Sequence, residues 1–528
     1  MIRPDTHGAY TAAGWLIAGM VGLLLGFGMA RSQTDAEVRK SIQIWSAAFE
    51  EVVNTYVDPV EAEPFMEAGL QSMLSELDPY TTYISEDERA IIEALTQGRY
   101  SGVGIQVGRR GEHLVVESVV PGSAAEQQQL SIGDVITHVD GTAVDGWSAN
   151  RLRSALRGKR GSTVTVSILR TGQTPDTVAV ERAPVELAAV PYAGFIGGPR
   201  QGMGYVRIER FTQQAALEVQ DAVENLKRSA AVKGLVIDVR DNPGGLLEAA
   251  VDVGSLFLDR GHVVVSTRGR TERSVRTYRN TSMPAYPDLP IVLLVNERSA
   301  SASEILAGAL QDHDRGVVLG KMTFGKGRVQ VIRTLPHGAS LKMTIARYYT
   351  PSGRSIQAES VGAEHTATPD LFATDSGRPV RERSGIQPDV TIDENYTSPL
   401  EAALRSEGAF FRFASYVMRT HPRPPKGGWQ PDELLHEFQE WVQAASISYQ
   451  TETQRALQPL DSLVASDHPE ADPQLDRLRA AVAASTTEQF EDHADLLIDR
   501  LLSEIRSRYL TSRGYYAATL SEDNMVQE

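Results

Sequence analysis

The spacing of apolar residues divides the first third of the chain into two stretches of different character. In residues 36–98, apolar side chains recur every three or four positions, which predicts a helical N-terminal region. Residues 99–184 instead alternate apolar and polar positions in short runs, with Asp140-Gly141 as a hairpin turn signal. This second stretch therefore predicts a β-rich domain.

The remaining pattern predicts a core and a helical extension. Residues 185–395 alternate strand-like runs such as GLVIDVR and PIVLLVN with helical runs such as LEVQDAVENLKR. That alternation is typical of an α/β core with a mostly parallel sheet covered by helices. Amphipathic stripes over residues 396–528 predict a helical C-terminal region. The β-rich domain is then an insertion between the helical N-terminal region and the core.

One aromatic cluster lies within the helical extension. Phe410, Phe411 and Phe413 are followed by Tyr416, which predicts a buried helix face. The pattern leaves open whether this face packs inside the chain or across a homodimer interface.

The N-terminus carries a long apolar run. Residues 11–30, TAAGWLIAGMVGLLLGFGMA, are uncharged and lie between Arg3 and Arg31. A helix of this length spans a hydrocarbon core, and Gly28-Met29-Ala30 resembles a small-x-small cleavage site. We expect residues 1–35 to be an export signal, either cleaved or kept as an inner-membrane anchor, and the rest to be periplasmic or otherwise extracytoplasmic.

Composition and charge exclude several classes of function. The formal charge of −16 argues against a nucleic-acid partner, and the absence of cysteine excludes disulfides and thiolate sites. The eleven histidines form no HExxH motif. Asp312-His313-Asp314 lies past the end of a predicted helix, where we expect C-terminal charge and surface hydrogen bonds. No metal and no cofactor are expected.

The segment GKMTFGKG, residues 320–327, resembles a phosphate-binding loop but lacks its essential hydroxyl. Gly327 stands where that loop needs Ser or Thr, and the following RVQVIRTL has the alternation of a strand rather than a helix. Nucleotide binding is therefore not expected. Lys326 remains either a solvated surface charge or a base in a pocket beside Phe324.

A serine-rich turn precedes this segment. In SASASEILAGAL, Ser301 and Glu304 match a capping box at the start of a helix. A serine there also lies beside free backbone N–H groups, which could hold the oxyanion of an acyl-transfer intermediate. The pattern does not separate a capping serine from a nucleophile, and it leaves Ser299 and Ser303 as rival nucleophiles.

Several long motifs in order resemble the carboxyl-terminal processing proteases, over about residues 42–390. They are LDPYTTYISEDE, GLVIDVRDNPGG, SASASEILAGAL, TFGKGRVQ, LKMTIARYYTPSGRSIQ and GIQPDV. The resemblance implies a serine endopeptidase with a Ser–Lys dyad and an acyl-enzyme route. It assigns Ser301 as nucleophile, Lys326 as general base and Gln330 as the residue that positions the lysine. The N–H groups of Gly245 and Ala302 would form the oxyanion hole.

A lysine base must lose its proton near neutral pH. Lowering its pKa from about 10.4 to roughly 7–8 requires about 4 kcal/mol of differential destabilisation of the charged form. We therefore expect a dry pocket with no carboxylate close to Lys326. Gln330 is neutral and could orient the amine, and in an extended segment Arg328 would share their face.

The β-rich domain resembles a PDZ domain. Its segment SGVGIQVG is similar to a carboxylate-binding loop, with Gly102, Val103, Gly104 and Ile105 as the candidate binding residues. PGSAA and IGDVI follow at PDZ-like spacing. A PDZ domain captures an exposed C-terminal tail by adding it as a strand to a sheet edge. The alternative is a β-domain that serves only as a spacer.

The sequence therefore predicts an exported endopeptidase that binds protein C-terminal tails through its PDZ domain. An insert at residues 358–384 and the C-terminal helices depart from a minimal family member. Two alternatives stay open. One is a non-catalytic PDZ scaffold whose dyad never assembles, and the other is an acyl-transfer enzyme that acts on small molecules.

Overall fold

The computed structural model describes most of the chain outside its N-terminus. The described residues are 36–85, 98–110, 112–170, 174–357, 370–382, 384–392, 398–421, 423–444, 457, 459–460, 472–510 and 512–527. The expected export segment, residues 1–35, lies outside them. Within the described part, no helix is both long and apolar enough to cross a membrane. The chain divides into two compact units, Met1–Tyr83 with Leu341–Met343 and the remainder.

The first unit is built from two helices, α1 at 36–55 and α2 at Ala62–Ser75. Phe49 joins them, because its ring stacks on Trp45 at 5.5 Å and on Phe65 at 5.7 Å. The prediction that residues 36–98 are helical is only partly correct, because this range contains strand β1 at Thr82–Ile84. The Asp78 carboxylate accepts the backbone N–H groups of residues 80 and 81, which makes a turn of the chain beyond α2.

The β-rich domain in the second unit is antiparallel. Its sheet has the order β3-β4-β5-β7-β8, with β6 beside β5, and β2 pairs β9 separately. The Asp140-Gly141 turn joins β5 to β6 as predicted, with both residues at positive φ. The elements are β2 Arg99–Gly102, β3 Ile105–Arg110, β4 His113–Val119, α3 Ala124–Gln127, β5 Val135–Val139, β6 Thr142–Ala143, α4 Ala149–Leu156, β7 Thr163–Leu169, β8 Asp176–Glu181 and β9 Ala183–Glu186.

The core contains a six-stranded sheet in the order β10-β11-β12-β15-β16-β21. Every pairing in it is parallel except that of β10 with β11. Helices α5, α6 and α7 bury their apolar residues in the main core cluster with this sheet. The elements are β10 Tyr192–Ile196, β11 Met203–Arg207, α5 Ala215–Ser229, β12 Gly234–Asp238, α6 Leu247–Ser255, β15 Ile291–Val295, α7 Ala302–Asp312, β16 Val317–Gly320 and β21 Val390–Thr391.

A second set of core strands is antiparallel. Strand β13 pairs with both β14 and β18 in that sense. The predicted mostly parallel arrangement is therefore present in one core sheet only. Most sheets of the described chain are antiparallel. The elements are β13 Val263–Gly269, β14 Arg276–Arg279, β17 Arg328–Thr334, β18 Ser340–Tyr349 and two 3₁₀ turns, Glu272–Ser274 and Pro336–Gly338.

The insert forms a hairpin where it is described. Strands β19 at Leu371–Ala373 and β20 at Pro379–Arg381 pair antiparallel. The Asp375 N–H donates to the Asp312 carbonyl at 2.8 Å, which fixes the hairpin turn at the end of α7. Residues 358–369 of the insert lie outside the described part.

The C-terminal region is helical, as predicted. Phe410 and Phe413 are buried within its own helix cluster, so the aromatic face packs inside the chain; homodimerisation stays a prediction. A further cluster joins Leu520, Met525 and Val526 to the core sheet. The helices are α8 Pro399–Ser406, α9 Ala409–Thr420, α10 Pro431–Ala444, α11 Asp472–Asp492, α12 Ala494–Tyr509, α13 Ser512–Thr519 and α14 Asn524–Gln527.

Candidate active site

Ser301 stands immediately before helix α7 in a strained backbone conformation. Its φ of 57° is uncommon for a residue with a side chain and costs about 1–3 kcal/mol. Helix α7 is buried along its whole length, and a Cβ added at Gly308 would lie 2.7 Å from Thr350. The small residues of SASASEILAGAL are therefore required by close packing around a buried helix. A strained serine at the tip of such a helix has a fixed position.

The three serines of the turn have different surroundings. Ser299 and Ser303 are fully buried, and their hydroxyls donate to the carbonyls of Val239 and Asn242 at 2.8 and 3.0 Å. Ser301 keeps 8% of its surface exposed, and the buried Tyr348 phenol lies near its hydroxyl. Burial raises the pKa of Tyr348, so the phenol stays neutral. The geometry therefore favours Ser301 over its two neighbours as the reactive hydroxyl.

The loop after β12 lies directly against this serine. A Cβ added at Gly244 would lie 2.8 Å from the Ser301 Cβ and 3.0 Å from the Ala302 nitrogen. At Gly245 an added Cβ would lie 2.2 Å from the Phe211 carbonyl oxygen. Both glycines have positive φ, 102° and 153°. Glycine is therefore required here by the close approach of backbone to backbone.

Two backbone N–H groups beside Ser301 are available to a ligand. Neither the Gly245 nor the Ala302 N–H donates to a protein acceptor among the described residues. Asn242 holds the loop that carries the first of them, because its amide oxygen accepts the Gly244 N–H at 2.8 Å. Its carbonyl accepts the Ala300 N–H at 3.0 Å, which ties the loop to the serine turn.

Glu304 connects the serine turn to the lysine loop. Its side chain is fully buried, and one of its oxygens, Oε2, accepts the N–H groups of Ser301 at 2.7 Å and Lys326 at 2.9 Å. The other oxygen accepts the Thr323 hydroxyl and the Gly325 N–H, both at 2.7 Å. The two residues that the resemblance assigns as nucleophile and base are thus fixed at one atom.

The role of Glu304 goes beyond the predicted capping box. The box is present, since the glutamate accepts the Ser301 N–H, but three further donors come from the loop around Lys326. This carboxylate meets Lys326 at its backbone N–H, so the expectation that no carboxylate lies beside the lysine amine stays a prediction. Burial raises the pKa of Glu304, while its hydrogen bonds oppose that shift. The sequence shows Glu304 in the capping box but not its other three donors, because these lie about twenty residues away and leave no local pattern.

The surroundings of Lys326 differ in part from the predicted dry pocket. Lys326 is half-buried, and Phe324 is 53% exposed, so the phenylalanine does not seal the pocket. Gln330 lies on β17, where its amide nitrogen donates to the Arg328 carbonyl at 3.0 Å and contacts the Thr344 hydroxyl at 3.4 Å. Positioning of the lysine by Gln330 stays a prediction.

The candidate peptide-binding loop is tightly held at the start of β3. The Val103 carbonyl accepts the Ala125 N–H at 2.9 Å, and the Gly104 carbonyl accepts the Val120 N–H at 2.8 Å. Gly104 has a φ of 89°, and a Cβ there would lie 2.2 Å from the Ser123 Cβ. Val103 and Ile105 are buried in the domain core. Gly102 is the last residue of β2. Because the side chains of Val103 and Ile105 are buried, the loop can contact a ligand only through its backbone groups.

Strand β3 lies at one end of the sheet order among the described strands, so its edge could accept a further strand. Arg153, on helix α4, covers part of this edge. Its guanidinium donates to the Val107 carbonyl and to the Asn150 side chain, both at 2.8 Å. Sequence reasoning missed this arginine, because helical spacing alone does not show what the side chain covers.

The β-rich domain also contacts the C-terminal helices. A Cβ added at Gly133 would lie 2.3 Å from the Ser415 hydroxyl oxygen of α9. Phe411 of the same helix lies between the guanidinium groups of Arg110 and Arg508, at 5.4 and 4.4 Å from its ring centre. The helical extension therefore supports the β-rich domain directly.

Within Asp312-His313-Asp314, only Asp314 is an exposed residue with surface hydrogen bonds, as expected, since it pairs with Arg378 at 3.1 Å. Asp312 is 1% exposed and pairs with the equally buried Arg354 at 2.7 Å. The His313 side chain is 8% exposed. Docking of the insert hairpin on this end of α7 accounts for the burial, and it could not be foreseen from helix periodicity.

Three family profiles match the chain. They are PDZ domain at residues 91–169, Peptidase family S41 at 202–392, and "Probable PDZ-protease, C-terminal helical domain" at 400–528. The S41 match contains Ser301, Lys326 and Gly245, and the PDZ match contains the loop before β3.

Individual relatives agree with these matches. The carboxy-terminal-processing protease of Bartonella bacilliformis is 34% identical over 375 residues, which cover 70% of this chain and 82% of the relative. A "Probable CtpA-like serine protease" of Staphylococcus haemolyticus is 31% identical over 343 residues, which cover 65% of this chain and 68% of the relative. Among solved structures, the photosystem II D1 C-terminal processing protease has 31% identity and a TM-score of 0.39, over 66% of this chain and 86% of that one.

Proposed function

Since this chain belongs to the carboxy-terminal-processing proteases of peptidase family S41 and is a serine-type peptidase with a PDZ domain, we propose that it cleaves proteins after capturing their C-terminal tails. Ser301 would be the nucleophile and Lys326 the general base. The observation that carries this proposal is the pair of hydrogen bonds from the Ser301 and Lys326 N–H groups to Glu304 Oε2. A dyad requires its two segments to be fixed together, and this oxygen does so.

The chemistry follows from the groups around Ser301. The neutral amine of Lys326 takes the Ser301 proton as the hydroxyl oxygen attacks the scissile carbonyl. The resulting oxyanion accepts hydrogen bonds from the N–H groups of Gly245 and Ala302. Neither N–H group has another acceptor in the described part of the chain. The intermediate then collapses, and the leaving amine takes a proton from the Lys326 ammonium. This step leaves an acyl group on Ser301.

The second half of the cycle reverses these roles. Lys326, neutral again, takes a proton from water as the water oxygen attacks the acyl carbonyl. Collapse of this intermediate returns the proton to Ser301 and releases the new C-terminus. Gln330 orients the lysine amine by hydrogen bonding, without adding a charge that would favour protonation.

Substrate capture would use the edge of β3, from which the Arg153 guanidinium would have to withdraw. Backbone groups of residues 102–105 would hold the terminal carboxylate, and the tail would add to β3 as a further strand. Because β3 is at the end of its sheet, no described strand has to move for this addition. The extended chain would then pass from the PDZ domain to Ser301.

We further propose that the protein acts outside the cytoplasm. The apolar run in residues 11–30 supports this location, as an export signal that is either removed or kept as an inner-membrane anchor. N-terminal sequencing of the protein recovered from the envelope tests the choice between the two. Recovery of the full chain in the cytoplasm would contradict export.

The proposed reaction is tested with an unstructured, apolar-tailed protein as substrate. We expect wild type to shorten it, and Ser301→Ala and Lys326→Ala to be slower by at least about 10³-fold. Lys321→Ala, a nearby half-buried lysine, is the control and should cut normally. Intact mass locates the cuts. Equal cutting by Lys326→Ala would remove the lysine from the mechanism, and tail binding without any cutting by wild type would favour the scaffold alternative.

A further inference from the structure

The two loops that meet at Ser301 leave neighbouring strands of the core sheet. Strands β12 and β15 are parallel partners in that sheet. The glycine loop, residues 239–246, follows β12, and the serine turn, residues 296–301, follows β15. Because parallel neighbours end at the same edge of a sheet, both loops lie at that edge. The contacts between the two loops therefore set the distance from the Gly245 N–H to Ser301.

Asn296 joins the two loops with both ends of its side-chain amide. The residue is 2% exposed. Its amide oxygen accepts the N–H groups of Asp241 at 2.9 Å and Arg298 at 3.1 Å. Its amide nitrogen donates to Asp241 Oδ1 at 2.8 Å. Asp241 belongs to the glycine loop and Arg298 to the serine turn, so one buried side chain is bonded to both.

The partners of this amide determine its orientation. A backbone N–H can only donate, and an ionised carboxylate can only accept. The oxygen of Asn296 must therefore face the two N–H groups, and its nitrogen must face Asp241. An aspartate at this position could not donate, and an apolar residue could neither donate nor accept. The position therefore requires an amide of this length.

A second connection starts from the backbone of Asn296. Its N–H donates to the Ser299 hydroxyl at 2.9 Å, and that hydroxyl donates to the Val239 carbonyl at 2.8 Å. Val239 is the first residue of the glycine loop. Asn296 thus bonds to the glycine loop directly at Asp241 and through Ser299 at Val239.

The residue that the Asn296 amide holds is strained and ionised. Asp241 has a φ of 62°, which residues with a side chain rarely adopt. Partial burial alone would raise the pKa of Asp241, but hydrogen bonds from Asn296 and Arg298 outweigh burial and lower the pKa. Such a residue keeps its conformation only where its neighbours hold it. Gly245 lies four positions further along the same loop, so a shift of Asp241 would move its N–H.

We propose that Asn296 is a positioning residue that keeps the Gly245 N–H in place for the oxyanion formed at Ser301. This inference rests on the proposed function. Asn296 touches no reacting atom and acts through Asp241. A hydrogen bond to an oxyanion is sensitive to small displacements of its donor, so loss of this contact should weaken the transition state more than the bound substrate.

The first test replaces the amide by a carboxylate. Asn296→Asp keeps the shape and the oxygen that accepts the two N–H groups, but it turns a second carboxylate oxygen toward Asp241, which repels it. We expect kcat to fall at least about tenfold, while KM for the tailed protein changes less than about threefold. Steady-state kinetics on the full chain measure both.

Asn280→Asp is the matched control. Asn280 is 1% exposed, and its amide also joins two segments, by donating to the Leu258 carbonyl at 2.6 Å and accepting the Ser282 N–H at 2.8 Å. It lies outside both loops. This variant should lose thermal stability with kcat unchanged.

Two further variants test the contact from the side of Asp241. Asp241→Gly adopts positive φ freely and removes the acceptor without changing the buried amide, so it should also lower kcat. Asn296→Asp combined with Asp241→Asn restores one donor and one acceptor between the side chains at unchanged net charge. The combined variant should recover most of the kcat lost in Asn296→Asp, whereas two independent structural defects would add.

A peptide aldehyde that ends at the site where wild type cuts reports on the oxyanion hole itself. Addition of the Ser301 oxygen to the aldehyde carbon places the former carbonyl oxygen at the N–H groups of Gly245 and Ala302. In Asn296→Asp the aldehyde should inhibit at least about tenfold more weakly, and the matching peptide alcohol, which forms no oxyanion, less than about threefold.

Three results would overturn the proposal. They are equal aldehyde inhibition in wild type and a folded Asn296→Asp, an unchanged kcat in Asp241→Gly, and a combined variant no more active than Asn296→Asp. A wild type that does not cut the tailed protein would overturn the proposed function, and this inference with it.

Discussion

Glu304 is the buried charge around which the proposed active site is arranged. Its four donors come from the segments of Ser301 and Lys326, and these hydrogen bonds offset the cost of burying the carboxylate while they hold both segments in place. It touches the backbone of Ser301 and Lys326 and would not touch substrate. We therefore interpret it as a positioning residue.

Glu304→Gln should separate positioning from binding. The glutamine keeps the shape, but its NH₂ group faces two of the four donors and cannot accept from them. We expect kcat to fall at least tenfold, since the Ser301 and Lys326 segments are no longer held at one atom, while KM for a tailed substrate changes less than threefold. Steady-state kinetics and labelling of Ser301 by an acylating reagent measure both effects.

The control for this variant is Glu401→Gln. Glu401 is equally buried but lies in α8, where it pairs with Arg500 at 3.0 Å. It should lower thermal stability without changing kcat. An unchanged kcat in Glu304→Gln, with stability lost in both variants, would reduce Glu304 to a structural residue.

The neighbouring serines should tolerate removal of their hydroxyls far better than Ser301. Ser299→Ala and Ser303→Ala each remove one hydrogen bond to a buried carbonyl that keeps a backbone donor, the Asn242 N–H and the Ala300 N–H respectively, and each should cost about 0.5–1.5 kcal/mol of stability. We expect both to keep acylation of Ser301, and Ser301→Ala to lose it. Intact mass after labelling measures this, and loss of label in Ser299→Ala with a folded protein would reassign the nucleophile.

Among the elements, the loop between β12 and α6 determines how closely its glycines approach Ser301. Gly244→Ala should lower kcat at least tenfold, because its Cβ would lie 2.8 Å from the Ser301 Cβ and would push the loop away. Gly261→Ala is a matched control, since Gly261 has a φ of 96° and no atom within 4 Å of an added Cβ. Gly261→Ala should lower the free energy of unfolding by about 1–2 kcal/mol through backbone strain alone. Equal activity of the two variants would contradict the close approach.

Helices and strands with strong periodicity could be predicted from the sequence, whereas their pairing could not. The run that forms α7 and the strands β12 and β15 follows local rules of period and β-branching. The antiparallel pairing of β13 with β18 joins residues about eighty positions apart, so nothing local reports it.

The candidate site shows the same limit. Ser301 and Lys326 could be assigned from motifs, but the φ of Ser301 and the four bonds of Glu304 are imposed by tertiary contacts.

At the scale of the whole molecule, a charged cluster joins the core sheet to the end of the chain. Asp238 is fully buried and pairs with Arg207 at 2.9 Å and Arg240 at 2.7 Å. Arg240 also pairs with Asp523 at 2.6 Å, beside the loop that leads to Gly244. The final helices are thereby fixed to the sheet by charge as well as by apolar contact.

This cluster predicts a stability loss in acid. Burial raises the pKa of Asp238, but the two arginines outweigh it and lower the pKa from 3.8 to about 2. The lowered pKa contributes about 2 kcal/mol above pH 4, which is lost as pH falls through 2. Unfolding free energies from denaturant titrations should converge for wild type and Asp238→Asn over this range. Exposed Asp145→Asn is the control, and a constant difference for Asp238→Asn would contradict the shift.

The Arg153 guanidinium that covers part of the edge of β3 has a consequence for solubility. An uncovered edge strand pairs readily with the edge strand of another molecule, and a charged side chain on that edge opposes such association. Concentrated solutions of an Arg153→Leu protein should therefore form oligomers that wild type does not. In the proposed mode of substrate capture, Arg153 would also have to leave the edge of β3 for each bound tail, so resistance to self-association and substrate binding would depend on the same residue.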